Sequence, residues 1–226
     1  DALHFSFKCS APGGKTQWDE AWKLINQTGH KHLSLSHQHP DNNSFILVAN
    51  DTYWAIDDGY NREVKAEHHN VVLVDGVGYQ DEGKNSIWAD YTPDMTGVVE
   101  KYLNEEGFVF TVGETAKTYQ KSLKLTRFAR HVLYTHRPYF IIFDELCSEL
   151  DHSYTWLLHS DVFPSRDNNI FSYKNGLATM QVHSVFPDAF TATMEDNVVR
   201  AVMTSQEPDN FCQTNLKTLA LTTQTK

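Results

Sequence analysis

Residues 36–45 read SHQHPDNNSF and set His37, His39 and Asp41 at alternate positions. In an extended backbone, residues two apart share a face, so these three side chains can point the same way. Imidazole beside carboxylate suits two chemistries: ligation of a divalent metal, and proton transfer near neutral pH. A solvated loop that happens to contain histidines is the plain alternative. Further donors stand downstream. Asp57 lies in WAIDDGY, eighteen residues past His39, and His69 lies in EHHNVVLVDG, twelve further on. Two imidazoles and one carboxylate make a zinc donor set, with bonds of about 2.0–2.2 Å and a fourth position left to water or another group. Asp58 competes with Asp57 for the carboxylate place, and His68 competes with His69.

Donors this far apart in sequence need elements that bring them together. Short runs rich in β-branched and aromatic residues, bounded by Gly, Pro, Asn or Asp, predict strands at 3–9, 44–50, 52–57, 70–76, 107–113, 129–135, 139–145, 153–160, 169–173 and 177–184. The turn NDT joins 44–50 to 52–57, and HRP (136–138) joins two later strands. The stretch 94–107 reads as a short strand over 97–103 and a hairpin through NEEG, with Gly107 as its turn residue. Consecutive strands tend to be neighbours, so a meander over 44–76 would bring His39, Asp57 and His69 to one end. WDEAWKLINQTG holds the one clear helix, near 18–28, with Gly29 as its stop. The fold class expected is all-β, an antiparallel β-sandwich of two-sheet supersandwich type, in one domain over 1–226. The polar end TTQTK is expected to fray.

Composition narrows the function. Apolar residues make up 40% and aromatic residues 12%, enough at 226 residues for a core without staples. Lys plus Arg number 19 against 29 Asp plus Glu, a net charge of −10, which leaves no basic surplus for nucleic acid. No apolar run approaches the roughly 18 residues that cross a membrane as a helix. Cys9, Cys147 and Cys212 are too few and too dispersed for a disulfide framework or a zinc ribbon. The sequence shows no signal peptide, and its start at Asp1 fits a processed chain. Sequons at Asn26, Asn42 and Asn50 matter only on a eukaryotic secretory route.

Other candidates weigh less. Asp144 and Glu145 are adjacent in a strand, point to opposite faces, and cannot flank one glycosidic bond. His159 is a candidate to line the cleft, with a satisfied histidine at a rim as the default. DGVGYQ has neither the following helix nor the lysine of a phosphate loop. Trp54, Trp88 and Trp156 offer rings for sugar stacking, with core packing as the default.

Taken in order, SHQHPDNNSFIL, WAIDDGY and HHNVVLVDGVGYQDEG, followed by RHVLYTHRPYFIIFDEL and SYTWLLHSD, resemble the C-terminal domain of the heparinase II/III-like family. The resemblance covers about residues 3 to 165. It implies a polysaccharide lyase acting on uronic-acid polymers, and zinc ligands at His39, Asp57 and His69. It makes His37 a catalytic-site histidine; Tyr60, just past the proposed ligand Asp57, is a candidate phenolic helper, with a packed core tyrosine as the default. Asp58 stands where many members carry proline, so the choice between the two aspartates stays open. The chemistry implied is β-elimination: a base removes the proton alpha to the uronate carboxylate and an acid protonates the departing glycosidic oxygen. Zinc would organise strand ends rather than activate water. The family's sandwich follows an α/α toroid of helices, and this sequence has no helical region of that size: either it is a piece of a longer protein, with the toroid as expected partner and half an active site here, or it is a standalone relative. A carbohydrate-binding sandwich without catalysis and a uronate epimerase are the alternatives. A periplasmic or secreted location follows from the substrate class.

Overall fold

The computed structural model describes residues 3–29, 38–59, 64–80, 82, 91–202 and 211–224, with side chains undescribed at 198–202 and 211–214. In chain order the elements are β1 (Leu3–Lys8), α1 (Lys15–Thr28), β2 (Ser44–Ala49), β3 (Thr52–Ala55), β4 (Val72–Val74), β5 (Val98–Glu105), β6 (Phe108–Glu114) and β7 (Leu125–Tyr134). They continue with β8 (Phe140–Ser148), β9 (Ser153–Ser160), β10 (Ser165–Asp167), β11 (Ile170–Asn175), β12 (Ala178–His183), β13 (Thr191–Val202) and β14 (Phe211–Gln224). The fold class is all-β and antiparallel, in the sandwich class that the strand pattern predicts. No described helix is long and apolar enough to cross a membrane.

The chain divides into two compact units. The first comprises residues 1–7, 44–77 and 151–226. It holds three sheets, ordered β1-β2-β3, β10-β11-β12 and β13-β14-β9-β4. Phe45, Trp54, Val71, Leu157, Leu158, Phe171, Leu216 and Leu219 are buried in it. Trp54 donates its indole N–H to the Ala49 carbonyl at 3.1 Å and is therefore core, not a sugar platform. Trp156 is half-buried with its ring 6.4 Å from Phe45, and Trp88 lies outside the described residues. The β2–β3 hairpin turns at Asn50 and Asp51, whose φ angles of 53° and 55° are those of a type I′ turn. Its twist matches the strands it joins, which is why NDT makes a tight hairpin.

Two expectations fail in this unit. β4 does not continue a meander from β3; it pairs with β9, Val72 opposite Trp156 and Val74 opposite Tyr154. With only three residues, all buried, β4 sits at the edge of a sheet whose other strands come from later in the chain. Nor does the end fray as far as Gln224. Thr222, Thr223 and Gln224 pair with Thr155, Tyr154 and Ser153, and the hydroxyls of Thr155 and Thr222 meet at 2.9 Å. A polar strand persists because β14 is hydrogen-bonded on both sides, to β13 and β9.

The second unit comprises residues 8–43 and 78–150 and holds α1 and the sheet β5-β6-β7-β8. α1 begins earlier than the sequence suggests, at Lys15, and ends at Gly29, which has φ 72° and returns its N–H to the Ile25 carbonyl. The hairpin through Glu105 and Gly107 forms as read, with Gly107 at φ 95°. Arg130, fully buried, forks onto Asp144 at 2.7 and 2.8 Å and reaches the Asn43 carbonyl at 2.5 Å. Glu145 turns the other way and pairs with Arg127 at 3.2 Å. The two carboxylates therefore serve different faces of β8 and hold structure. Asn42, buried, accepts the Ser10 N–H at 2.8 Å and packs so closely on Gly97 that a Cβ there would lie 2.6 Å from its Oδ1. That burial closes the Asn42 sequon to a glycan in the folded chain.

Candidate functional site

Within the first unit, β9 does what the meander was expected to do. The Ile56 N–H donates to the His159 carbonyl at 3.0 Å, and the Leu157 N–H donates to the Val71 carbonyl, also at 3.0 Å. The segment leaving β3 and the segment entering β4 thus lie against the same strand. Their acidic and imidazole residues meet as a result.

Four side chains gather there. A carboxylate oxygen of Asp58 and a ring nitrogen of His69 lie within 4.8 Å of each other, a separation that one metal ion can span. Asp58 Oδ2 also stands 3.0 Å from His68 Nδ1. His69 Nδ1 lies 3.7 Å from Asp57 Oδ2. The side chains of Asp58 and His69 are each only 1% exposed, against 32% for Asp57. Asp57 is also engaged locally. Its Oδ1 accepts the Gly59 N–H at 2.9 Å, closing a turn that needs Gly59 at φ 68°. Asp57, Asp58, Gly59, Ile46, Tyr53, Ile56 and Asp161 line an open hollow of about 330 Å³.

Behind His69 the packing is polar and closely bonded. Asn70 is fully buried. Its N–H donates to Ser44 Oγ at 3.2 Å, and its amide donates to the carbonyls of Phe45 and Ile56 at 2.8 and 2.9 Å. Its Oδ1 accepts the His159 N–H at 2.8 Å. His159 is fully buried rather than at a rim, because β9 is interior to its sheet. Burial, then the neighbouring His69, pushes its pKa down to about 4, so the ring is neutral at physiological pH. Sequence reasoning did not single out Asn70 and His159 as a working pair. The signal that could have found them is the HHN triplet, which sets an asparagine just ahead of the apolar strand β4.

The remaining predicted donors are placed as follows. His39 is half-buried in the second unit, ahead of Asn42. Asp41, expected to share a face with it, is ion-paired with Lys8. His37 and Tyr60 lie outside the described residues.

A family model described as heparinase II/III-like, C-terminal, matches residues 10–207. The chain belongs to the heparinase II/III-like family. No curated protein sequence matches it. Among solved structures, the heparan sulfate lyase HepC from Pedobacter heparinus is similar at 15% identity and a TM-score of 0.67, over 100% of this chain and 31% of that one. A heparinase III with methylated lysines is similar at 16% identity and a TM-score of 0.66, over 100% of this chain and 30% of that one. A further heparinase III matches at 14% identity and a TM-score of 0.61, over 84% of this chain and 28% of its own. At these identities the likeness is one of fold. This heparinase II/III-like chain spans about 30% of the length of such neighbours.

Proposed function

We propose that this domain is the β-sandwich part of a polysaccharide lyase that cleaves a uronic-acid-containing polysaccharide by β-elimination and binds a zinc ion. The observation that carries the reading is the family match over residues 10–207. The meeting of Asp58 and His69 supports the metal. A buried carboxylate beside a buried imidazole is a donor pair of the kind zinc takes, and a cation between them would offset the cost of burying the charge. His69 would hold the ion with an aspartate, and geometry favours the buried Asp58 over Asp57. His39 enters the set on the strength of the HQHPD motif. The ion would supply fixed positive charge that organises the strand ends.

In the reaction proposed, the C–H bond alpha to the uronate carboxylate breaks and its electrons form a double bond to the adjacent ring carbon. The bond from that carbon to the glycosidic oxygen breaks, and the oxygen takes up a proton. Charge building on the carboxylate needs hydrogen-bond donors. His37 is the residue proposed to donate there or to act as base, with Tyr60 as phenolic helper. A helical toroid in the longer protein is the proposed partner, and a periplasmic or secreted setting goes with a polymeric substrate. The test is formation of unsaturated uronate, followed by ultraviolet absorbance, on a panel of uronate polymers with the longer protein. Product that disappears with His37→Ala supports the reading; no product from any polymer defeats it.

A further inference from the structure

We propose that Asn70 and His159 are positioning residues that set His69 against Asp58, an inference that rests on the metal reading above but concerns groups outside the ligand set. The hydrogen bonds have a forced direction. The His69 carbonyl can only accept, so His159 Nε2, 3.2 Å away, carries a proton and donates it. In the neutral ring Nδ1 then accepts, and its partner at 2.9 Å is the Thr218 hydroxyl. Thr218 Oγ1 in turn accepts from the Asn197 amide at 2.8 Å. A one-way chain therefore runs from β13 through β14 and β9 to the backbone of His69. Asn70 completes the frame. Its amide donors grip Phe45 on β2 and Ile56, two residues before Asp58, while its own backbone continues directly from His69. One buried amide thus fixes the distance between the segment that carries the carboxylate and the segment that carries the imidazole.

The acceptors of this hydrogen-bonded core lie on both ligand-bearing segments. Here the carbonyls that receive the donors include those of His69 itself and of Ile56. Groups that orient ligands from behind commonly alter metal affinity by about 10–100-fold when removed. The frame stands without the metal, because every bond in it is between protein groups.

The experiment uses the 226-residue chain with His159→Leu, which removes the donor, and His159→Gln, whose amide can restore one. Zinc affinity is measured by competition with a chromophoric chelator. The rate at which diethyl pyrocarbonate modifies His69 in the metal-free chain is mapped by mass spectrometry. Circular dichroism establishes that each variant is folded. The expected result is at least about tenfold weaker zinc binding and several-fold faster His69 modification in His159→Leu, with substantial recovery of both in His159→Gln. Asn70→Ser is the second arm: it should match His159→Leu, and it carries the same test where His159→Leu does not fold. A folded His159→Leu that binds zinc as tightly as the unsubstituted chain and protects His69 equally overturns the proposal while leaving the metal reading intact. An unsubstituted chain that binds no zinc, with His69 still released by His159→Leu, defeats the metal reading and sustains the positioning role.

Discussion

The residue that decides most is Asp58. Sequence alone left two adjacent aspartates and two adjacent histidines in competition, because spacing does not say which way consecutive side chains face where the backbone is irregular. The two aspartates stand in different surroundings. Asp57 caps its own turn through Gly59, while Asp58 is buried between His68 and His69. Asp58→Asn should therefore weaken zinc binding by at least about tenfold, and Asp57→Asn by much less, measured by chelator competition on the folded variants. Equal losses would count for Asp57 as much as for Asp58. A second prediction concerns Arg130, whose guanidinium is fully buried on Asp144. Asp144→Ala strands that charge and should cost roughly 3–5 kcal/mol in chemical denaturation. A loss under about 1 kcal/mol would mean that the guanidinium finds water or another partner.

Among elements, those with strong local signals were legible and those held by partners were not. The β2–β3 hairpin announced itself through NDT, α1 through its tryptophan spacing and Gly29, and β9 through an unbroken strand-like run. β13 was missed because Glu195, Asp196 and Asn197 interrupt its apolar pattern, and β14 because its threonines read as solvated coil. Both persist by pairing with each other along the whole of β13, and β14 also by pairing with β9. The hairpin invites a test: Asp51→Val puts a β-branched residue at φ 55° and should destabilise by about 1–2 kcal/mol, read from the denaturation midpoint. The ends of β4 and β9 are joined by Asp75, which accepts the Ser153 N–H at 2.8 Å and meets His152 Nδ1 at 2.7 Å. These bonds, the backbone one foremost, hold its pKa below the ordinary 3.8. A carboxylate whose pKa is lower folded than unfolded stabilises above its unfolded value, and the gain is lost as pH falls through the folded one. The unsubstituted chain should thus lose melting temperature below pH 3.8 more steeply than Asp75→Asn, and parallel profiles would remove Asp75 from the account.

At the scale of the molecule, the fold class followed from strand spacing, and the family from the order of three motifs, but neither says what a chain this size does alone. It spans about 30% of neighbours such as the heparinase III of known structure. Elimination needs a base, an acid and donors to a developing carboxylate charge, placed closely around one sugar ring. The unit that carries Asp58 and His69 offers a shallow hollow of about 330 Å³ whose described lining includes three aspartates and no cationic side chain to meet an anionic polymer. Asp57, Asp58 and Asp161 would repel a uronate there unless metal or a further domain supplied positive charge. The prediction is a separation of properties. On the proposed reading, the 226-residue chain should bind zinc and yield no unsaturated uronate, while a protein that adds the proposed helical toroid should yield product whose rate falls with added salt, as an attraction between opposite charges would. Turnover by the 226-residue chain alone, at the rate of the toroid-bearing protein, would show that the sandwich holds a complete active site and would defeat the proposed role of a helical partner in it.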